Sequence, residues 1–262
     1  MERKSLIQTA REAAGFTQQQ LAEALGVSTE AVSKWEQGKY QPAPENREKL
    51  EAVLHLSYYD EKGEPRNARL FNEEHMSAFL KGRLNAGDFP QAGKALDLAK
   101  KQHKGQVRKG PGSIPYISHP LTMACHAFAM GLEDDTLLAA LLLHDTAEDC
   151  GVKPEELPVS EEARRIVALV TKPESGYSPE DYFRRIAENP KACLVKCIDR
   201  CSNLSTMALG FTKEKMAAYI RETEKYYPEL LKIVKAVPEY NNAAWLLQYQ
   251  MKSLLETAKK IG

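Results

Sequence analysis

The stretch Thr136-Leu137-Leu138-Ala139-Ala140-Leu141-Leu142-Leu143 is apolar almost all round and runs directly into His144-Asp145. A helix with no polar face is buried on every side, so this run demands a larger helical body around it. It also carries an imidazole and a carboxylate into apolar surroundings, where ionisable groups are costly unless something pairs with them. A divalent cation is the simplest partner. Asp199 follows a second apolar run, Ala192-Cys193-Leu194-Val195, and His119 precedes a third apolar stretch. His119, His144, Asp145 and Asp199 are therefore expected to converge from separate core helices as metal ligands. Two imidazoles and two carboxylates suit a borderline-hard divalent ion.

The chain around this run has 262 residues, 43% hydrophobic and 27% charged, a globular balance with room for one large or two ordinary domains. Its formal net charge is zero, which removes global attraction to nucleic acid or anionic membrane but leaves local patches open. No apolar run approaches the ~20 residues of a membrane span, so no membrane partner is expected and the chain is read as cytoplasmic. The five cysteines include no Cys-x-x-Cys pair. Cys193, Cys197 and Cys201 recur as a helical stripe of buried free thiols.

Residues 57–72 lack periodicity and hold a glycine, a proline and many charges, which predicts a linker between a domain of residues 1–56 and one of residues 73–262. The first reads as short helices: Leu6, Ala10 and Ala14 mark one, Thr17 caps Gln18–Leu25, Ser28 caps Thr29–Gln37, and Leu50, Val53, Leu54 and Leu56 mark another. The second shows repeated 3.6-residue periodicity and little strand-like alternation. The fold class is all-α, with a five-helix N-terminal domain and a larger all-helical domain.

The segments Phe16-Thr17-Gln18-Gln19-Gln20-Leu21-Ala22, Leu25-Gly26-Val27-Ser28 and Val32-Ser33-Lys34-Trp35-Glu36-Gln37-Gly38 resemble the Cro/repressor-type helix-turn-helix family. The resemblance implies binding to double-stranded DNA, with the third helix in the major groove. By position, Thr29, Glu30, Ser33 and Lys34 would face bases, and Gln18, Lys39 and Tyr40 would approach phosphates. Trp35 falls where helices must pack. This domain has seven Lys/Arg against eight Glu, little charge for phosphate neutralisation, so a homodimer reading two half-sites is the expected competent form.

Five ordered blocks in the second domain, His103-Lys104-Gly105-Gln106-Val107-Arg108-Lys109, Pro115 to Leu121, Leu141 to Asp149, Val170-Thr171-Lys172 and Val195 to Leu204, resemble the hydrolase domain of the RelA/SpoT family, a branch of the HD-type metal phosphohydrolases. The resemblance implies hydrolysis of the guanine nucleotide alarmones ppGpp and pppGpp at the 3′-diphosphate, releasing pyrophosphate, with one manganese ion (Mn2+) as cofactor. By the same pattern Arg108 and Lys109 would hold the nucleotide, and Tyr116 matches the pocket tyrosine. Asn203 and Thr206 would share the helical face of Asp199 and bond ribose or phosphate. Glu148 and Asp149, one turn after His144 and Asp145, are expected to orient or deprotonate the attacking water. Acidic side chains at the end of that helix would oppose its macrodipole, which argues for a catalytic reason to be there. Gly110 to Ile114 is longer than the family pattern, and Ser202 stands where a histidine is common. His103 and His126 match no ligand position. The sequence leaves two rivals open: a regulator whose metal domain only senses nucleotide, and a hydrolase of another 3′-phosphorylated nucleotide such as NADPH.

Overall fold

The computed structural model describes residues 5–54, 72–108, 114–173 and 175–261. It contains fourteen α-helices and no strand among the described residues, so the chain is all-α. It divides into two compact units, Met1–Asn72 with Val107–Ile114, and Glu73–Gln106 with Pro115–Gly262. The expected linker lies outside the described residues except at Asn72.

The first unit holds α1 (Leu6–Ala13), α2 (Gln18–Leu25), α3 (Thr29–Glu36) and α4 (Pro44–Leu54), four helices among its described residues where five were expected. Thr17 starts α2 with a capping box: its hydroxyl accepts from Gln20 N, and the Gln20 side chain accepts from Thr17 N. Gly26, at φ +70°, stops α2 in the left-handed conformation that glycine adopts without strain. Ser28 then caps α3 through Ala31 N. Leu21, Leu25, Val32, Leu50 and Leu54 form the core with Trp35, which is packed inside as expected. Arg11 and Glu36 form a buried ion pair at 2.6 Å, linking α1 to the end of α3.

The second unit holds α5 (Glu73–Ala86), α6 (Pro90–Gln102), α7 (Ser118–Ala129), α8 (Asp135–Leu143), α9 (Thr146–Cys150), α10 (Glu161–Val170), α11 (Pro179–Ala187), α12 (Pro190–Thr206), α13 (Lys213–Ala236) and α14 (Asn241–Ile261). Every residue of α8 from Leu137 to Leu143 is buried, against α6, α7 and α10. Each of its five buried leucines contributes ~1.5–3 kcal/mol of burial, which makes α8 a rigid support for His144 and Asp145 at its C-terminal end. The long α12 is the second support, packed against α7, α8, α10, α11, α13 and α14. Cys193, Cys197 and Cys201 on α12 are buried thiols, and burial pushes Cys193 and Cys201 up to about 12. No helix among the described residues is long and apolar enough to cross a membrane.

One local expectation is corrected. Glu148 and Asp149 do not continue the helix of His144. α8 ends at Leu143, and the chain turns through His144 and Asp145 and restarts as the short α9. The two acids therefore occupy the first turn of a new helix, where negative charge is favoured, and their position does not oppose a macrodipole. The break follows from hydrogen bonding: His144 Nδ1 donates to Leu141 O at 2.9 Å and Thr146 Oγ1 to Leu143 O at 2.7 Å, so side chains take up carbonyls at the end of α8.

Candidate metal centre and nucleic-acid interface

His119 at the start of α7, His144 at the end of α8 and Asp199 in the middle of α12 bring three ligand atoms within 4.8 Å of one another, all from buried residues. His119 Nε2 lies 3.2 Å from Asp199 Oδ1, and His144 Nε2 lies 3.9 Å from the same oxygen. Asp145 borders the trio, with Oδ2 at 2.9 Å from His144 Nε2 and 3.7 Å from His119 Nε2.

The surroundings orient these groups. Because His144 Nδ1 donates to a backbone carbonyl, Nε2 is the nitrogen left to face the cluster, and it is buried without a hydrogen bond. In the neutral imidazole this nitrogen is a buried acceptor facing two carboxylates, an arrangement that a cation would satisfy, so the donor set fits a divalent ion. His119 Nδ1 sits 3.0 Å from Ser202 Oγ, which fixes that ring from behind; the serine that departs from the family pattern is a support here. Tyr116 OH donates to Asp145 Oδ2 at 2.6 Å. Burial would lower the His144 pKa, yet Asp145 and Asp199 outweigh it and raise it to about 9. Burial would likewise raise both carboxyls, but His144 beside Asp145 and Lys196 beside Asp199 hold them well below the usual range.

Glu148 accepts from Lys172 N at 2.5 Å, which ties α9 to the Val170-Thr171-Lys172 block. Desolvation by its neighbours pushes the Glu148 carboxyl up, against the Lys172 N–H. Asp149 is exposed, and its backbone carbonyl accepts from Gln106 Nε2 at 3.2 Å. The expected substrate residues are placed unevenly. Tyr116 reaches the cluster. Asn203 Nδ2 donates to Asp199 Oδ1 at 2.5 Å, so it orients a carboxylate, and Thr206 Oγ1 bonds back to Ser202 O at 3.2 Å. Arg108 belongs to the segment grouped with the first unit, and Lys109 lies outside the described residues.

Sequence reasoning passed over two features. Lys196, buried on α12, ion-pairs Asp199 Oδ2 at 3.0 Å. The available signal was a lone lysine inside the apolar run Leu194 to Ile198, three residues before an aspartate. His103, which matched no ligand position and is not among the clustered ligands, is packed inside, stacks on Tyr116 with centroids 4.9 Å apart, and has its Nδ1 2.8 Å from Gln106 Oε1. His103 and Gln106, at the start of the first sequence block, thus brace Tyr116 and α9.

In the first unit, Thr29 and Glu30 are exposed at the start of α3. Lys34 Nζ pairs with Glu30 at 2.8 Å and lies 5.6 Å from the centre of the exposed Tyr40 ring. Ser33 Oγ accepts from Gln37 Nε2 at 3.0 Å, and Lys39 is exposed. Gln18, expected at a phosphate, is half-buried and donates Nε2 to Glu36 at 2.7 Å.

Comparison with known proteins finds two families along the chain. The HD domain family matches residues 95–231, and the helix-turn-helix family matches residues 7–60. The guanosine-3′,5′-bis(diphosphate) 3′-pyrophosphohydrolase of Aquifex aeolicus is 35% identical over 146 residues, 52% of this chain and 20% of that protein. The guanosine-3′,5′-bis(diphosphate) 3′-pyrophosphohydrolase MESH1 of Xenopus tropicalis is 33% identical over 138 residues, 48% of this chain and 77% of that protein. The chain thus spans about a fifth of the length of the Aquifex relative and most of the Xenopus one. A solved metazoan ortholog of SpoT, described as hydrolyzing ppGpp, superposes with a TM-score of 0.50 at 21% identity, covering 64% of this chain and 94% of that one, which supports the fold.

Proposed function

The chain belongs to the HD domain family, and from that membership we propose that it is a metal-dependent phosphohydrolase that releases pyrophosphate from guanosine 3′,5′-bis(diphosphate) and its triphosphate analogue. The observation that carries the proposal is the convergence of His119, His144 and Asp199, with Asp145 beside them, in a chain similar to two proteins named for that reaction, those of Aquifex aeolicus and Xenopus tropicalis. Residues 73–262 are taken as the hydrolase and residues 1–56 as a DNA-binding domain. The protein is read as acting in the cytoplasm.

His119, His144, Asp145 and Asp199 would hold the ion, with manganese proposed from the family resemblance. Such an ion polarises a phosphate and lowers the pKa of water, which hydrolysis of an anionic ester needs. The chain's own groups supply the rest. Glu148, anchored by Lys172 N and with its carboxyl pushed up by desolvation, is suited to orient a water and accept its proton. Asp149, on the same short helix and open to solvent, is suited to handle the leaving-group proton. Tyr116 and Asn203 each hold a carboxylate oxygen, which fixes the direction in which the remaining lone pairs point. Arg108 and Lys109 are assigned to the nucleotide, guanidinium on the base and ammonium near phosphate. Thr206 is assigned to the ribose or phosphate.

For the N-terminal domain we propose sequence-specific DNA binding through Thr29, Glu30, Ser33 and Lys34, with Gln18, Lys39 and Tyr40 toward the backbone. The exposed start of α3 and the helix-turn-helix match support it.

The test is turnover of the full chain with manganese against a panel containing guanosine 3′,5′-bis(diphosphate), NADPH and an adenine 3′-phosphorylated nucleotide. Pyrophosphate release from the guanosine compound at the highest kcat/KM is expected. Preference for NADPH would reassign the substrate, and no turnover of any member would leave the regulator reading in its place.

A further inference from the structure

We propose that Lys196 is a positioning residue for the metal centre: it confines Asp199 to donating through one oxygen and offsets the negative charge of the ligand set. The inference rests on the metal reading above. Lys196 stands three residues before Asp199 on α12, so the two side chains share a helix face. Its Nζ lies 3.0 Å from Asp199 Oδ2, and the residue is 7% exposed. The ring of Tyr182, 5.8 Å from Nζ, screens it further from water. The opposite oxygen, Oδ1, faces His119 Nε2 at 3.2 Å and His144 Nε2 at 3.9 Å. Asp199 therefore has its two oxygens divided: Oδ2 is given to an ammonium, and Oδ1, which also accepts from Asn203 Nδ2 at 2.5 Å, is the one turned to the ligand cluster.

The division has an electrostatic consequence. Asp145 and Asp199, with two neutral imidazoles, match the charge of a divalent ion, so that set alone would leave a loaded centre neutral. Lys196 adds one positive charge to that set. A buried like charge beside the ligands weakens the hold on the ion and strengthens attraction for an anionic phosphate. A purely structural lysine gives the opposite sign for the ion: loss of the clamp would let Asp199 swing, and binding would weaken.

The experiment is calorimetric titration of Mn2+ into the full chain, as wild type, Lys196→Gln, Lys196→Arg and Asp199→Ala. Glutamine can still donate to Oδ2 but carries no charge. Lys196→Gln is expected to bind Mn2+ about tenfold more tightly, by removal of a repulsive charge, while its KM for guanosine 3′,5′-bis(diphosphate) rises about tenfold. Lys196→Arg is expected to restore both values. Weaker or unchanged Mn2+ binding in Lys196→Gln overturns the proposal. If that variant does not fold, Lys196→Met, which fills similar space but removes the clamp together with the charge, is read by the KM for guanosine 3′,5′-bis(diphosphate), and an unchanged KM overturns the proposal. Undiminished Mn2+ binding in Asp199→Ala would instead overturn the metal site itself, so the two failures are distinguishable.

Discussion

At the scale of single residues, the site is a set of side chains each held by a named neighbour, and the roles separate by substitution. Glu148→Gln keeps the Lys172 anchor and is no part of the ligand trio. It is expected to bind metal normally and lose at least ~100-fold in kcat, as removal of a proton-handling carboxylate does. Turnover near wild type would return Glu148 to a structural role. His144 gives a pH test with a definite sign. Its pKa in the metal-free fold is raised to about 9, above the ordinary imidazole value of 6.5. The protonated form is favoured by folding, so this contribution to stability is fully present below 6.5 and is lost as pH rises through about 9. Metal requires the neutral imidazole, so the rise in melting temperature on adding Mn2+ should grow across the same window. Melts with and without Mn2+ at the two ends of that window check it; a gain that shrinks with pH contradicts the assignment. Of these residues, the four ligand candidates were legible because charge inside an apolar run is conspicuous. Lys196 and His103 were not, since lysine is ordinarily solvated and histidine ordinarily incidental, and only packing reveals otherwise.

At the scale of elements, α8 was legible from seven apolar residues in a row, and α2 and α3 from their caps Thr17 and Ser28. The break at His144-Asp145 was hidden, because it depends on side chains taking carbonyls that periodicity cannot foresee. That break redirects the chain so that Glu148 meets Lys172 N. On α3 the paired Glu30 and Lys34 make a discriminating test. Lys34→Ala is expected to cost ~1–3 kcal/mol per half-site and relax base choice. Lys39→Ala is expected to weaken all sequences alike and flatten the salt dependence. Equal losses on specific and random DNA for both variants would remove α3 from base recognition.

At the scale of the whole molecule, a helix-turn-helix unit and an HD unit share one chain, with formal charge balanced at zero. A near-neutral DNA-binding unit gains little from phosphate attraction, so specific binding is expected of a homodimer on two half-sites about one helical turn apart. Selection from random DNA, followed by the mass of the complex, checks this. A single unrepeated half-site bound by one chain would contradict it. This organisation was legible because each part carries its own motif, whereas the grouping of Val107–Ile114 with the first unit had no counterpart in the sequence. The central claim is that His119, His144, Asp145 and Asp199 hold the ion that hydrolysis requires. It is tested most directly by anomalous diffraction at the manganese edge from crystals of the full chain grown with Mn2+. The account predicts one peak per chain, bonded to His119 Nε2, His144 Nε2 and Asp199 Oδ1 with Asp145 alongside. A protein that turns over its nucleotide while its anomalous peak lies away from those four side chains would contradict it.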